Sequence, residues 1–116
     1  MKENIKKWVD ALRSGNYLQG SGRLCYRLEG ETTERYCCLG VACEVYRQEV
    51  EQGEELLPKL LYTNFSSYNG KIYYLPKTVR DWLGIVSEFS YMYLNDKLGY
   101  TFEEIADYAE QEYLKS

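Results

Sequence analysis

Apolar residues recur along this chain with two periods. Ile5, Trp8, Val9 and Leu12 stand at i, i+3, i+4 and i+7, which predicts an amphipathic helix stopped by Gly15. Cys38, Val41, Ala42, Val45 and Tyr46 repeat that spacing and predict a second, buried helix reaching about Glu49. Pro76 opens a third, with Val79, Trp82 and Leu83 inward and Gly84 at its end. Thr101 and Glu104 form a capping box ahead of Phe102, Ile105, Ala106 and Ala109, the inner face of a final helix. Between them, Ser87–Leu98 is ambiguous. Phe89, Met92 and Tyr93 suit a helical face, yet Asn95-Asp96 and Gly99 interrupt it soon afterwards.

Elsewhere the spacing is that of strands. Arg23–Leu28 and Thr33–Cys37, punctuated by Gly20, Gly22 and Gly30, read as a hairpin. Arg23, Cys25 and Arg27 would share one face and Leu24, Tyr26 and Leu28 the other. Leu60–Phe65 and Lys71–Leu75 read as a second hairpin turning through Ser66–Gly70, because Asn69-Gly70 is a strong turn dipeptide. The acidic stretch Glu49–Glu55 is expected to be a solvated loop. The expectation is one α+β domain over residues 1–116, a small antiparallel sheet of two hairpins packed against about four helices.

Charge and composition narrow the functions open to such a domain. The formal net charge is −4, which argues against sequence-independent binding to a nucleic-acid polymer. No run approaches the length of a membrane span, and no apolar segment follows the charged start Met1–Lys7 as a secretory signal would need. The expected location is the cytoplasm. Histidine is absent, which removes Ser-His and Cys-His nucleophile pairs and the common catalytic zinc sites. The 13 tyrosines fit either half-buried packing or a recognition surface.

The four cysteines do not have metal-ligand spacing. Cys37 and Cys38 are adjacent, Cys43 follows, Cys25 stands apart, and no C-x-x-C pair occurs. On a helix Cys38 and Cys43 would lie roughly 140° apart. No metal and no cofactor are expected, and the thiols read as small buried side chains. A thiolate at the start of the second helix is the remaining alternative, with its pKa lowered by the helix dipole.

The candidate binding residues are Arg13, Tyr17, Gln19 and Arg23, expected to converge on one cleft with Asn95 and Asp96 at its rim. Guanidinium groups bind phosphate bidentately, and Tyr17 could stack on a base. Each also has a structural reading: Arg13 on the helix C-terminus, the arginines in salt bridges, Asn95-Asp96 capping a turn. Gly20-Ser21-Gly22-Arg23 offers backbone N–H groups to an anion or is a plain turn; it is not a Walker motif. Lys71 is expected to lie away from this cluster.

Trp8-Val9-Asp10-Ala11-Leu12-Arg13-Ser14-Gly15, Tyr36-Cys37-Cys38-Leu39-Gly40-Val41 and the later Leu75-Pro76, Trp82-Leu83-Gly84 and Asn95-Asp96 form a motif set running almost end to end. The set resembles a family of small, largely uncharacterised bacteriophage proteins that open on Trp-x-x-Ala-Leu-Arg-Ser-Gly and centre on Cys-Cys-Leu-Gly-Val. The resemblance implies a phage protein acting in the host cytoplasm. With it, the chain reads as a non-enzymatic sponge. It would sequester a small phosphate-containing ligand, a cyclic nucleotide or ADP-ribose derivative, to inhibit host antiviral defence. Such sponges are usually homo-oligomers. Two rival readings stand beside this one: an inhibitor docking an acidic, Tyr-rich surface on a host enzyme, and a small nucleotide hydrolase or lyase using Glu or Tyr as base.

Overall fold

Lys2–Arg13 form α1, and its stripe Ile5, Trp8, Val9 and Leu12 is buried, as the spacing requires. The computed structural model describes residues 2–115. After α1 come three short strands, β1 (Leu18–Gln19), β2 (Cys25–Tyr26) and β3 (Arg35–Tyr36). The helix α2 (Cys38–Glu49), a single turn α3 (Gly53–Leu56) and the strands β4 (Lys59–Leu61) and β5 (Ser66–Tyr68) follow. Then come α4 (Lys77–Leu83), α5 (Glu88–Asp96), α6 (Phe102–Ala109) and a π-helical turn over Glu110–Leu114. The class is α+β, with a three-stranded sheet of order β1-β3-β2 and a two-stranded sheet β4-β5.

The centre of the molecule is α2, in which every residue from Cys38 to Tyr46 is buried. It contacts α1, α3, α4 and α5. Trp8 Nε1 donates to Cys38 O at 2.9 Å, tying α1 to the first turn of α2. Gly40 is required by this packing, because a Cβ there would overlap the carbonyl of Leu24. The glycine of Cys-Cys-Leu-Gly-Val therefore lets α2 rest directly on the backbone entering β2. At the far end, Thr101 and Glu104 make the expected capping box on α6.

The strands depart from expectation in detail. β2 and β3 pair antiparallel as predicted, with Cys25 opposite Tyr36 and Tyr26 opposite Arg35, but over two residues each. β1 joins them parallel to β3, a pairing no local pattern announced. The Asn69-Gly70 turn forms, with φ of 50° and 83°, but it closes only the bridge between Tyr68 and Lys71. The longer pairing lies earlier, Lys59–Leu61 against Ser66–Tyr68. Ser66, Ser67 and Tyr68, read from sequence as loop, are a buried strand. Ser66 Oγ and Tyr68 Oη find acceptors inside, on Glu34 and Glu44, and burial overrides the turn propensity of serine.

Two helical surprises matter more for function. A short helix, α3, interrupts the predicted acidic loop, with Gly53 buried against the α2 backbone. Ser87–Leu98 resolves as α5, but its inner face is Glu88, Tyr91, Leu94 and Asn95. Phe89 and Tyr93, whose spacing suited a helical face, are 62% and 50% exposed. Among the described residues no helix is long and apolar enough to cross a membrane.

Candidate functional site

The thiols are silenced by burial. All four cysteines are free and buried. Desolvation pushes Cys37 up to about 12 and outweighs the backbone N–H bonds at the start of α2. Cys38 and Cys43 are likewise raised by burial, and Cys25 is raised to about 11 by burial and by its bond to Glu34. The dipole argument for a thiolate loses to desolvation. Among the described residues no three His, Cys, Asp or Glu side chains are grouped to hold a metal ion.

Of the six candidate binding residues, three come together. Asn95, 4% exposed, accepts from Gln19 Nε2 at 3.0 Å and from Cys38 N–H at 3.2 Å. Its Nδ2 donates to Gly20 O at 2.9 Å and to Asp96 Oδ1 at 2.8 Å. Gln19 also donates to Tyr100 O at 2.8 Å and accepts from Phe102 N–H at 3.0 Å. Asp96 accepts from Gly22 N–H at 3.0 Å. The Gly20–Gly22 loop is thus bound to α5, with its N–H groups already spent: Gly20 on Tyr36 O, Ser21 on Tyr26 Oη, Gly22 on Asp96. No anion cradle is left there.

The other three lie elsewhere. Arg13 is enclosed by α6 and the turn after it, with Asp107 at 2.6 Å, Glu110 at 3.1 Å and Glu103 at 3.5 Å. Its guanidinium clamps the C-terminal helix to α1. Tyr17 packs edge-on against Tyr36 at 5.3 Å and accepts from Gln48 Nε2 at 3.3 Å. Arg23 lies over the ring of Phe65, 5.3 Å from its centroid. An open depression of about 300 Å³ does border Gln19, Ser21, Asn95 and Tyr100. The one arginine on it, Arg35, is held bidentately by Glu31 at 2.8 and 2.9 Å.

A buried charged network lies under β4 and β5. Lys59, with its side chain 10% exposed, places Nζ 2.9 Å from Glu44 and 3.6 Å from Glu34. Tyr68 Oη donates to the same Glu44 oxygen, while Cys25 at 2.7 Å and Ser66 at 3.4 Å donate to Glu34. Burial alone would lower the Lys59 pKa, but its bond to Glu44 and the surrounding negative charge raise it. Burial opposes the charge on Glu34 as well, and its donors Cys25, Lys59 and Ser66 still hold it below the usual carboxylate range. The tyrosines at this network are pushed upward by burial, Tyr36 and Tyr68 both far above the phenol range. Lys59 and Glu34 are therefore held ionised, and the phenols neutral, at physiological pH. Such an arrangement holds charge in place beneath the sheet.

The groove with binding chemistry is one that motif reasoning passed over. A cleft of about 330 Å³ lies between the segment after the Asn69-Gly70 turn and the helices α4 and α5. It is lined by Lys71, Lys77 and Arg80 together with the rings of Tyr74 and Phe89. Those two rings meet edge to face at 6.1 Å, and both remain largely exposed. Glu88, buried at the base, accepts from Leu75 N–H at 2.7 Å and from Arg80 Nη1 at 3.2 Å. Arg80 is therefore anchored by one arm. Lys77 pairs with Asp81 on the exposed side at 2.6 Å, and Lys71 makes no ion pair among the described residues. The signal was present in the sequence: Lys71–Asp81 carries three cations and one acid in an otherwise acidic chain.

Residues 1–113 match the family described as Domain of unknown function (DUF8296), and the chain belongs to that family. No curated protein and no solved structure matches it.

Proposed function

We propose that this protein is a non-enzymatic binding protein for a small phosphate-bearing ligand with a planar ring, held in the Lys71–Lys77–Arg80 groove. The observation that carries the reading is the groove's composition, three cations beside the exposed rings of Tyr74 and Phe89. Cations pair with phosphate oxygens, and an exposed ring offers a face on which a base stacks. The ionised, fully engaged network around Lys59 and the buried thiols supply no group suited to general acid–base or nucleophilic work, which supports binding over turnover. Sequestration of a nucleotide-derived signal against host antiviral defence is the role favoured by the resemblance to phage proteins. A second reading, docking onto a host enzyme, draws on the exposed Phe89, Tyr93 and Val86.

Thermal-shift and calorimetric titration with cyclic nucleotides and ADP-ribose derivatives tests the proposal. A charge-assisted hydrogen bond contributes about 1.5–3 kcal/mol, so Lys71→Ala should weaken binding roughly ten- to hundredfold. Because Lys71 is exposed, the unliganded melting temperature should hardly move. Arg23→Ala, on the Phe65 ring, should leave affinity unchanged. Bound nucleotide should be recovered intact after heat denaturation. Absence of binding across the panel, or multiple-turnover cleavage, would overturn the reading.

A further inference from the structure

The three cations of the Lys71–Lys77–Arg80 groove do not carry equal weight. Lys77 Nζ lies 2.6 Å from Asp81 and Arg80 Nη1 lies 3.2 Å from Glu88, while Lys71 has no carboxylate beside it among the described residues. The paired cations still have N–H groups to offer, since Lys77 engages one bond of its ammonium and Arg80 one arm of its guanidinium. Their charge, however, is already balanced. Three cations against two carboxylates leave one positive charge over, that of Lys71. The rings are limited in the same way. Tyr74 and Phe89 meet at 6.1 Å and 70°, so together they form one corner. A base stacked on one ring sets its edge against the other, and no further ring lines the groove among the described residues. Its volume of about 330 Å³ lies at the lower end of the roughly 300–1,000 Å³ usual for small-molecule sites.

Resting on the reading that this groove takes a phosphate-bearing ligand, we infer that it selects a single nucleoside whose phosphate is a singly charged cyclic diester, and that Asp81 sets the preference. A cyclic diester brings one negative charge to the one positive charge left over. A phosphate monoester carries about −1.5 to −2 at neutral pH, and the pyrophosphate of ADP-ribose carries a charge on each phosphate. The additional charge would lie beside cations that are already neutralised, and close to the carboxylates that neutralise them. Glu88 cannot turn away, because it is buried and holds Leu75 N–H at 2.7 Å. Asp81 is exposed, so its charge can be removed without disturbing the core. The single aromatic corner sets the other limit: a second base would find no ring to stack on and would remain in solvent.

Calorimetric titration of the full chain at neutral pH and low salt, with cyclic AMP and AMP, cyclic GMP and GMP, and ADP-ribose, tests the inference. For the better-bound base, the wild type should hold the cyclic diester at least about threefold more tightly than its monoester or ADP-ribose. Asp81→Asn releases the charge of Lys77 and should move the ratio of the two dissociation constants about two- to fivefold toward the monoester, as befits an exposed ion pair. Asp10→Asn is the control. It breaks the exposed Lys6–Asp10 pair of the same spacing on α1 and changes the net charge equally, so the ratio should stay where it is. A monoester or ADP-ribose bound as tightly as the cyclic diester, or a folded Asp81→Asn protein with the wild-type ratio, would overturn the inference and leave the groove a phosphate site. Absence of binding by every member of the panel would overturn the groove reading and the inference together.

Discussion

Asn95 is the residue whose removal separates a structural from a ligand-binding role most cleanly. Asn95→Ala deletes an acceptor for Cys38 N–H and Gln19 Nε2 and a donor to Gly20 O and Asp96 Oδ1. The Cys38 amide opens the buried stretch Cys38–Tyr46 of α2, so water cannot replace the lost partner without entering the core. Leaving a buried polar group unsatisfied costs about 1–3 kcal/mol. Gln19 and Asp96 keep other partners, so each loses only about 0.5–1.5 kcal/mol. These terms sum to roughly 2–6 kcal/mol, which relaxation brings toward the lower end, still a large share of a typical stability of about 5–15 kcal/mol. Urea denaturation at neutral pH, followed by tyrosine and tryptophan fluorescence, measures it. Asn95→Asp keeps the acceptors but sets a carboxylate against Asp96 and Gly20 O, so it should be destabilised as well. If Asn95→Ala were as stable as the wild type yet lost nucleotide binding, the hub reasoning would fail and the residue would belong to a ligand.

Gly40→Ala should destabilise by at least about 3 kcal/mol or prevent folding, since the new methyl overlaps Leu24 O; circular dichroism of the purified variant reads this directly. Arg13→Ala should lower the urea midpoint. Its bond to Glu110, with help from Lys115, holds that carboxyl below its ordinary pKa, so the stabilisation is present above the unfolded value near ~4.3 and is lost as pH falls through the lower folded value. The gap between wild type and Arg13→Ala should accordingly narrow in acid, and a gap that widened there would refute the clamp. The cysteines should resist an aromatic disulfide reagent at pH 8 until the protein is unfolded; rapid labelling of the native chain would contradict their burial. Because burial raises the folded thiol pKa values, their contribution to stability is complete below the unfolded value near ~8.5 and fades as pH rises through the folded values. A urea midpoint unchanged between neutral and strongly alkaline pH would count against it.

What could be read from the residues alone was whatever depends on near neighbours. The buried stripes of α1, α2 and α6, the capping box at Thr101, the αL stop at Gly84 and the Asn69-Gly70 turn each follow from spacing or from one residue's φ preference. The proximity of Gln19, Asn95 and Asp96 was also anticipated, though not their employment on Gly20, Gly22 and Cys38. Only tertiary structure could decide how those polar groups are spent, because a side chain's partner is chosen by packing across the chain. Arg13 shows this most simply: three carboxylates far along the sequence converge on it, where local reasoning left a helix-end contact, a salt bridge and a ligand contact all open. Phe89 and Tyr93 show the converse. Their spacing suits a core, but Glu88 is drawn inward by Leu75 N–H and Arg80, and that bonding rotates α5 so that the rings face solvent. The parallel docking of β1 on β3 likewise arises from contacts that no window of sequence contains, since a strand carries no mark of the neighbour it will meet.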